Sequence, residues 1–321
     1  MNNRMIEEFF RVHDLGEIQG PMVKVEGGLL HRMYRVNTSY GVYALKHLNP
    51  QIIKRPGVKN QYETSEVFAE LCYESGIPAS AAMIKEGHRL QVLGKDHFMI
   101  FHWEEGKVVP ASEVKPRHAY KIGQYLYRIH KLKKANQALV YEDILWDRYL
   151  DLLPDDLVGV YRERINLLKD MEASLKEYVS LFPSRCWSHR DLDPKNVMWQ
   201  GDQAFLIDWE ASGPVNPDLE LLELALYWSR DGKDEDCFLN ALRGYQSQGP
   251  IEPDRLMKAI DVVSLNKLKW LEYNLNRTCG LEVCMDQEEE DLARNQVLLS
   301  LDEILAFSLS KKDIISLLNQ L

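Results

Sequence analysis

The chain has 321 residues, 45% of them hydrophobic and 27% charged, and a net charge of -10. That balance excludes a disordered chain and suits one large domain or two modest lobes around a sizeable core. The negative charge argues against nucleic acid or an anionic membrane as partner, because both repel it. The first residues, MNNRMIEEFFRVHDLG, carry acids where a signal peptide needs an apolar run. No stretch reaches the ~20 apolar residues of a spanning helix. Cys72, Cys186, Cys237, Cys279 and Cys284 form no CxxC pair and read as reduced thiols, so a cytoplasmic protein is expected.

Short β-type runs come first along the chain: GPMVKVEGG, HRMYRVNTS and GVYALKHLN, with a turn at Tyr40-Gly41. A helix follows over about 60–74, stopped by Gly76 and Pro78. A strand is expected at 82–85, then a hairpin in RLQVLGKDHFMIFHW that turns at Gly94-Lys95-Asp96. Beyond residue 104 the pattern is mostly helical. Ile122, Tyr125, Leu126, Ile129 and Leu132 mark one amphipathic face. Further helices are expected over 141–180, 217–230, 234–246, 254–277 and 287–307, with a short one at the end. The chain therefore reads as an α+β protein with an N-terminal lobe over 1–103 and a helical C-terminal lobe over 104–321.

One strand-like island, CWSHRDLDPKNVMWQGDQAFLIDWE, interrupts the helices. Val197–Trp199 and Ala204–Ile207 alternate as strands around the turn Gln200-Gly201-Asp202-Gln203. An antiparallel hairpin brings together the residues flanking its open end, here Asn196 and Asp208. An amide oxygen beside a carboxylate suits a hard cation such as Mg²⁺. Asp191 lies five residues before Asn196, in a loop where Pro194 discourages helix.

This segment resembles the kinase-like phosphotransferases, the aminoglycoside phosphotransferases and choline kinases among them, with protein kinases more distant. The matching residues are His189-Arg190-Asp191, Asn196 and Ile207-Asp208-Trp209-Glu210. Four fixed residues recur by accident on the order of 0.002 times per chain, so the match carries weight. The resemblance implies a bilobal protein-kinase-like fold. Its N-terminal lobe would hold a five-stranded antiparallel sheet plus helix, and its larger helical lobe an embedded catalytic hairpin. It implies ATP and Mg²⁺ as cofactors, with GTP left open beside ATP. It assigns Asp191 to the acceptor hydroxyl, Asn196 and Asp208 to the metal, and His189 to holding the loop.

Lys46 shares a strand face with Ala44 and Val42, and either points into a cleft or reaches out to water. The resemblance assigns it to the α- and β-phosphates. Its acid partner is expected on the helix at 60–74, Glu66 first and Glu63 second, with Glu70 on the same face. Glu26-Gly27-Gly28-Leu29-Leu30-His31 is the expected nucleotide loop, with Gly27 and Gly28 against the nucleotide. Adenine is expected along Phe101–Glu104, where Trp103 either stacks on it or seals the core.

Two positions depart from the family. Arg190 stands where small-molecule kinases commonly carry glycine, with Asp193, Glu210 and Glu220 as its candidate partners. Glu220 stands where aspartate is usual, at a helix start expected to brace the loop. Only five residues separate Glu210 from Asn216-Pro217, too few for a peptide-binding activation segment. The acceptor is therefore read as a small-molecule hydroxyl compound that an acidic site suits if cationic, facing Glu210, Asp218, Trp270 and Tyr273. The acids of 286–291 read more strongly as a helix cap and first turn than as a polycation site. A catalytically silent nucleotide-binding protein, or a protein kinase, are the competing readings; oligomeric state is not encoded legibly.

Overall fold

The structure, a computed structural model, describes residues 3–25 and 30–321. By internal contacts the chain divides into two compact units: Met1–Val108 with Asn196–Ser212, and Val109–Lys195 with Gly213–Leu321. The hairpin assigned from sequence to the helical lobe thus makes its contacts in the first unit.

That unit runs α1 (Asn3–Val12), β1 (Val23–Val25), β2 (Arg32–Asn37), β3 (Val42–His47), α2 (Pro50–Ile53), α3 (Val58–Glu74), β4 (Gln91–Leu93), β5 (Asp96–His102) and β6 (Lys107–Val108). It is completed by β9 (Val197–Gln200) and β10 (Gln203–Leu206). The expected five-stranded antiparallel sheet is present, in the order β1-β2-β3-β5-β4, and the hairpin adds a three-stranded sheet, β10-β9-β6.

Alternation along the strands gives the large sheet two buried faces. Val36, Tyr43, Leu45, Phe98 and Ile100 pack with Ile6, Phe9 and Phe10 of α1. The sequence reading missed α1, although the spacing of those three apolar residues is helical. On the other face Met99 clusters with Ile52, Ile53 and Tyr62. Lys46 is paired with Met99 across the β3–β5 ladder, so it belongs to this second face.

The second unit holds α4 (Pro116–Leu132), β7 (Lys134–Gln137), α5 (Asp155–Tyr178), β8 (Ser184–Ser188), β11 (Gly213–Val215), α6 (Pro217–Ser229), α7 (Glu235–Gln246), α8 (Pro253–Val262), α9 (Ser264–Thr278) and α10 (Gln287–Leu318). Four expectations are corrected. Residues 82–85 form no strand: Met83 N–H bonds Ile100 C=O, but the chain then turns through Glu86 (φ 51°) and Gly87 (φ 80°). The helix expected from 141 starts only at Asp155, because Pro154 has no N–H to extend it backwards. The helix expected over 254–277 is two, parted at Val263, where the Ser264 hydroxyl donates to Asp261 C=O. The last two helices are one, since Ser310 donates to Phe307 C=O without ending the run. No helix among the described residues is long and apolar enough to cross a membrane, and all five cysteines are free.

The α4–α7 crossing is closed by two glycines. A Cβ on Gly123 would stand 2.1 Å from Ala241 O, and one on Gly244 2.0 Å from Tyr120 O. Neither obstacle is a side chain that can swing away. Gly123→Ala and Gly244→Ala are therefore each expected to cost about 3 kcal/mol in urea unfolding. Gly159→Ala, on open α5 surface, should instead gain about 0.5–1 kcal/mol from helix propensity.

Candidate active site

The hairpin delivers two of the expected site residues together. Its ladder ends at Val197–Leu206, and Ile207 N–H then donates to Asn196 C=O at 3.0 Å. Gly201 supplies φ 60° at the opposite, turning end. Asp208 follows with φ 64°, a left-handed conformation that aspartate tolerates better than most residues. Lys46 Nζ donates to Asp208 Oδ1 and to Glu210 Oε2, both at 2.5 Å. The lysine side chain is 10% exposed. Burial alone would lower its pKa, but the two carboxylates outweigh burial and hold the ammonium charged well above its ordinary range. Burial would likewise raise Glu210; Lys46 and His31 reverse that and hold it far below the carboxylate range.

The helix acids are used differently from expectation. Glu66, 3% exposed, accepts Ala82 N–H at 2.7 Å and stands outside ion-pair distance of Lys46. Burial pushes its carboxyl up to about 7, against the pull of Ala82 N–H and of Lys46. Glu63 accepts Leu90 N–H at 2.9 Å, and Glu70 pairs with the Arg89 guanidinium. The acidic face of α3 thus fastens the segment 82–90. Sequence showed three acids on one face but not that backbone amides would claim two of them.

On the nucleotide side, Gly27 and Gly28 lie outside the described residues. Phe101 stands opposite Ala44, and Trp103 N–H donates to Val42 C=O at 3.1 Å. Strand alternation turns the backbone groups of His102 away from β3. The Trp103 ring lies under the Arg35 guanidinium at 5.2 Å. Arg35 is opposite Ala44 on the Lys46 face, and its buried Nε has no hydrogen-bond partner among the described residues.

In the second unit the loop carrying Asp191 is held from several sides. His189 is fully buried, and its Nδ1 accepts Asp191 N–H at 3.3 Å. Arg190 has φ 67°. That conformation gives a physical reason for the glycine common there in small-molecule kinases, since glycine adopts it without steric cost. Arg190 meets Glu220 through its backbone N–H, at 2.7 Å, while its side chain stays exposed. The other Glu220 oxygen bonds His130 Nε2 at 2.7 Å, and His130 Nδ1 meets Tyr245 OH at 2.9 Å. Burial would raise the Glu220 carboxyl, but His130 and Arg190 N–H hold it low. Lys195 Nζ lies 3.7 Å from Asp191 Oδ1.

Of the expected substrate residues, Glu210 is engaged by Lys46, and Asp218 pairs with Arg255 at 2.6 Å. Trp270 and Tyr273 stack at 5.6 Å on α9. Asp286 caps α10 by accepting Glu289 N–H, as the cap reading expects. Sequence reasoning missed Glu223, one turn beyond Glu220 on α6 and 7% exposed. Its Oε1 accepts from Asn266 Nδ2 (2.7 Å) and Tyr227 OH (3.0 Å), with no basic partner among the described residues. Burial, helped by Glu220 and Asp191, pushes its carboxyl to about 7. Its spacing from Glu220 was the available signal.

The donors present fit the implied cofactors. Asn196 and Asp208 offer an amide oxygen and a carboxylate, and Lys46 takes only Oδ1 of the latter. Lys46 and Arg35 put positive groups on one sheet face, as nucleotide phosphates require.

A family model described as "Phosphotransferase enzyme family" matches residues 22–257. None of the curated proteins matches the chain. Among solved structures, a spectinomycin phosphotransferase in complex with ADP and spectinomycin is 10% identical, with TM-score 0.69 over 95% of this chain and 98% of that one. An amicoumacin kinase in complex with AMP-PNP and Ca²⁺ is 12% identical, with TM-score 0.62 over 94% of each chain. A choline/ethanolamine kinase family protein from Mesorhizobium loti is 16% identical, with TM-score 0.56 over 97% of this chain and 99% of that one. At these identities the likeness is one of fold, and it is the α+β protein-kinase-like fold.

The raised Glu66 carboxyl has a measurable consequence. Between its ordinary 4.5 and about 7 the folded protein holds a proton there that the unfolded chain has released. Stability therefore falls as pH rises through that window, by on the order of 3 kcal/mol from this residue. Glu66→Gln should remove this share of the fall, read as a smaller difference between urea midpoints at about pH 5 and about pH 8.

Proposed function

The chain belongs to the phosphotransferase enzyme family, and we propose that it moves the γ-phosphate of ATP to a hydroxyl of a small, positively charged molecule. The observation that carries this reading is Lys46 held against Asp208, at the hairpin end shared with Asn196. In it Lys46 takes the α- and β-phosphates. Asn196 and Asp208 hold Mg²⁺, whose charge, when bound, offsets that of the phosphates. Asp191 accepts a hydrogen bond from the acceptor hydroxyl and aligns its oxygen with phosphorus. His189, Arg190 N–H and Glu220 fix that loop, so that positioning rather than covalent chemistry supplies most of the rate. Phe101 and Trp103 flank the adenine end.

A small acceptor is favoured by the short path of the chain beyond Glu210. The turn Trp209–Ala211 leads at once into β11 and then α6, with no residues spare for a peptide platform. A cationic acceptor is favoured by Glu223, on the helix that braces the Asp191 loop, a buried carboxylate whose hydrogen-bond donors among the described residues, Tyr227 and Asn266, are neutral. Trp270 and Tyr273 offer aromatic faces to such a molecule. The spectinomycin, amicoumacin and choline/ethanolamine named for the similar structures define the first panel of acceptors. Free cysteines accord with a cytoplasmic reaction.

The reading is tested by Mg·ATP turnover with amino sugars, amino alcohols and neutral sugars; no phosphorylated product together with no Mg·ATP binding overturns it. Asp191→Ala should lower transfer roughly 10³-fold or more while leaving Mg·ATP affinity nearly unchanged. Asp208→Ala should weaken Mg·ATP binding itself, by at least about tenfold. Glu223→Gln should raise the acceptor KM about tenfold and spare that of ATP. Because the Glu223 carboxyl ionises near 7, acceptor binding in the parent protein should tighten from about pH 6 to about pH 8. In Glu223→Gln that dependence should be lost.

A further inference from the structure

We propose that Glu210 is the acid that positions Lys46, and that His31 and Tyr62 hold Glu210 in turn. Calling Lys46 the phosphate lysine rests on the function proposed above; the geometry of its anchor does not.

Glu210 is fixed at both its backbone and its side chain. It sits in the turn Trp209–Ala211, which α3 grips on either side: Ser65 Oγ donates to Glu210 C=O at 3.3 Å and Gln61 Nε2 to Ser212 C=O at 2.7 Å. Its Oε2 receives Lys46 Nζ at 2.5 Å and stands 3.2 Å from His31 Nε2. Asn49 N–H donates to His31 Nδ1 at 3.0 Å. Nδ1 is thereby an acceptor, so the ring hydrogen is on Nε2, facing Glu210. Tyr62 OH lies 2.9 Å from the same Nε2 and completes the shell around the ring. The Glu210 side chain is 18% exposed, against 38% for Asp208.

The division of labour follows from these contacts. Asp208 is the more open of the two acids and keeps one oxygen for a cation. Glu210 is enclosed and has no such second task. Glu66, the helix acid that position would suggest, is spent on Ala82 N–H, and with its carboxyl near 7 it is a poor permanent counter-ion at neutral pH. Helix α3 still reaches the lysine, but through Tyr62, His31 and Glu210 rather than through a carboxylate of its own. Two carboxylates around one ammonium leave an excess negative charge, which the His31 N–H partly offsets.

Competitive labelling of lysines with an amine-reactive anhydride, read by mass spectrometry without nucleotide, tests the anchor directly. Only the uncharged amine reacts, so a one-unit fall in the lysine pKa speeds labelling about tenfold. Glu210→Gln should raise the Lys46 rate at least about tenfold, and Glu210→Asp, which keeps the charge on a shorter stem, should raise it less. Glu66→Gln should leave it within about twofold. Lys59 and Lys85 serve as internal references, and unchanged rates there show that each variant is folded. An unchanged Lys46 rate in Glu210→Gln, or an equal rise in Glu66→Gln, overturns the proposal. The measurement needs no ATP, so a protein that binds no Mg·ATP would contradict the proposed function and leave this result readable.

Discussion

An ammonium on a side chain that has lost nine-tenths of its exposure must be surrounded by negative charge or give up its proton. Lys46 is such a group, and the first unit is arranged around the first of those outcomes. The alternation of β3 sends its side chain to the face opposite α1, where the hairpin's last residues bring Asp208 and Glu210. The sheet, the hairpin and the N-terminal half of α3 are thus coupled through one cation. Removing the lysine would leave two neighbouring carboxylates without their shared cation, a costlier defect than losing a surface pair.

The second unit solves a different problem, that of keeping a loop in an unfavourable backbone conformation. Arg190 adopts a left-handed φ in a residue type with no liking for it. Glu220 makes this possible by capturing the Arg190 N–H, and His130 and Tyr245 hold Glu220 behind it. The chain of contacts passes from α7 through α4 to α6 before it reaches the loop. A glutamate fits where the family usually has aspartate because it serves both His130 and Arg190.

Most of the architecture could be read from residue order, since period-two alternation and turn residues are local properties. Asn196 and Asp208 flank one end of the hairpin because its register follows from its own short turn. The partners of Lys46 were not readable in the same way. They are 162 and 164 residues away, and no periodicity links one strand lysine to one of three helical acids or to a fourth beyond the hairpin. The misread helices share a cause as well. Pro154 and the Ser264 hydroxyl act on the backbone through single hydrogen bonds, which hydrophobic spacing does not register. Glu223 was overlooked because an acid on an apolar helix attracts notice only when its neighbours in space are known.

The glycine contact between α4 and α7 has a reach beyond its own surroundings. His130 lies two turns along α4 from Gly123, and Tyr245 is the immediate neighbour of Gly244. The separation of those two backbones therefore sets where the His130–Tyr245 pair stands, and with it how far Glu220 extends toward Arg190. The crossing acts as a spacer gauge for the Asp191 loop, with a tolerance of less than one methyl group. Residues there that make no contact with the loop are in a position to tune where it stands.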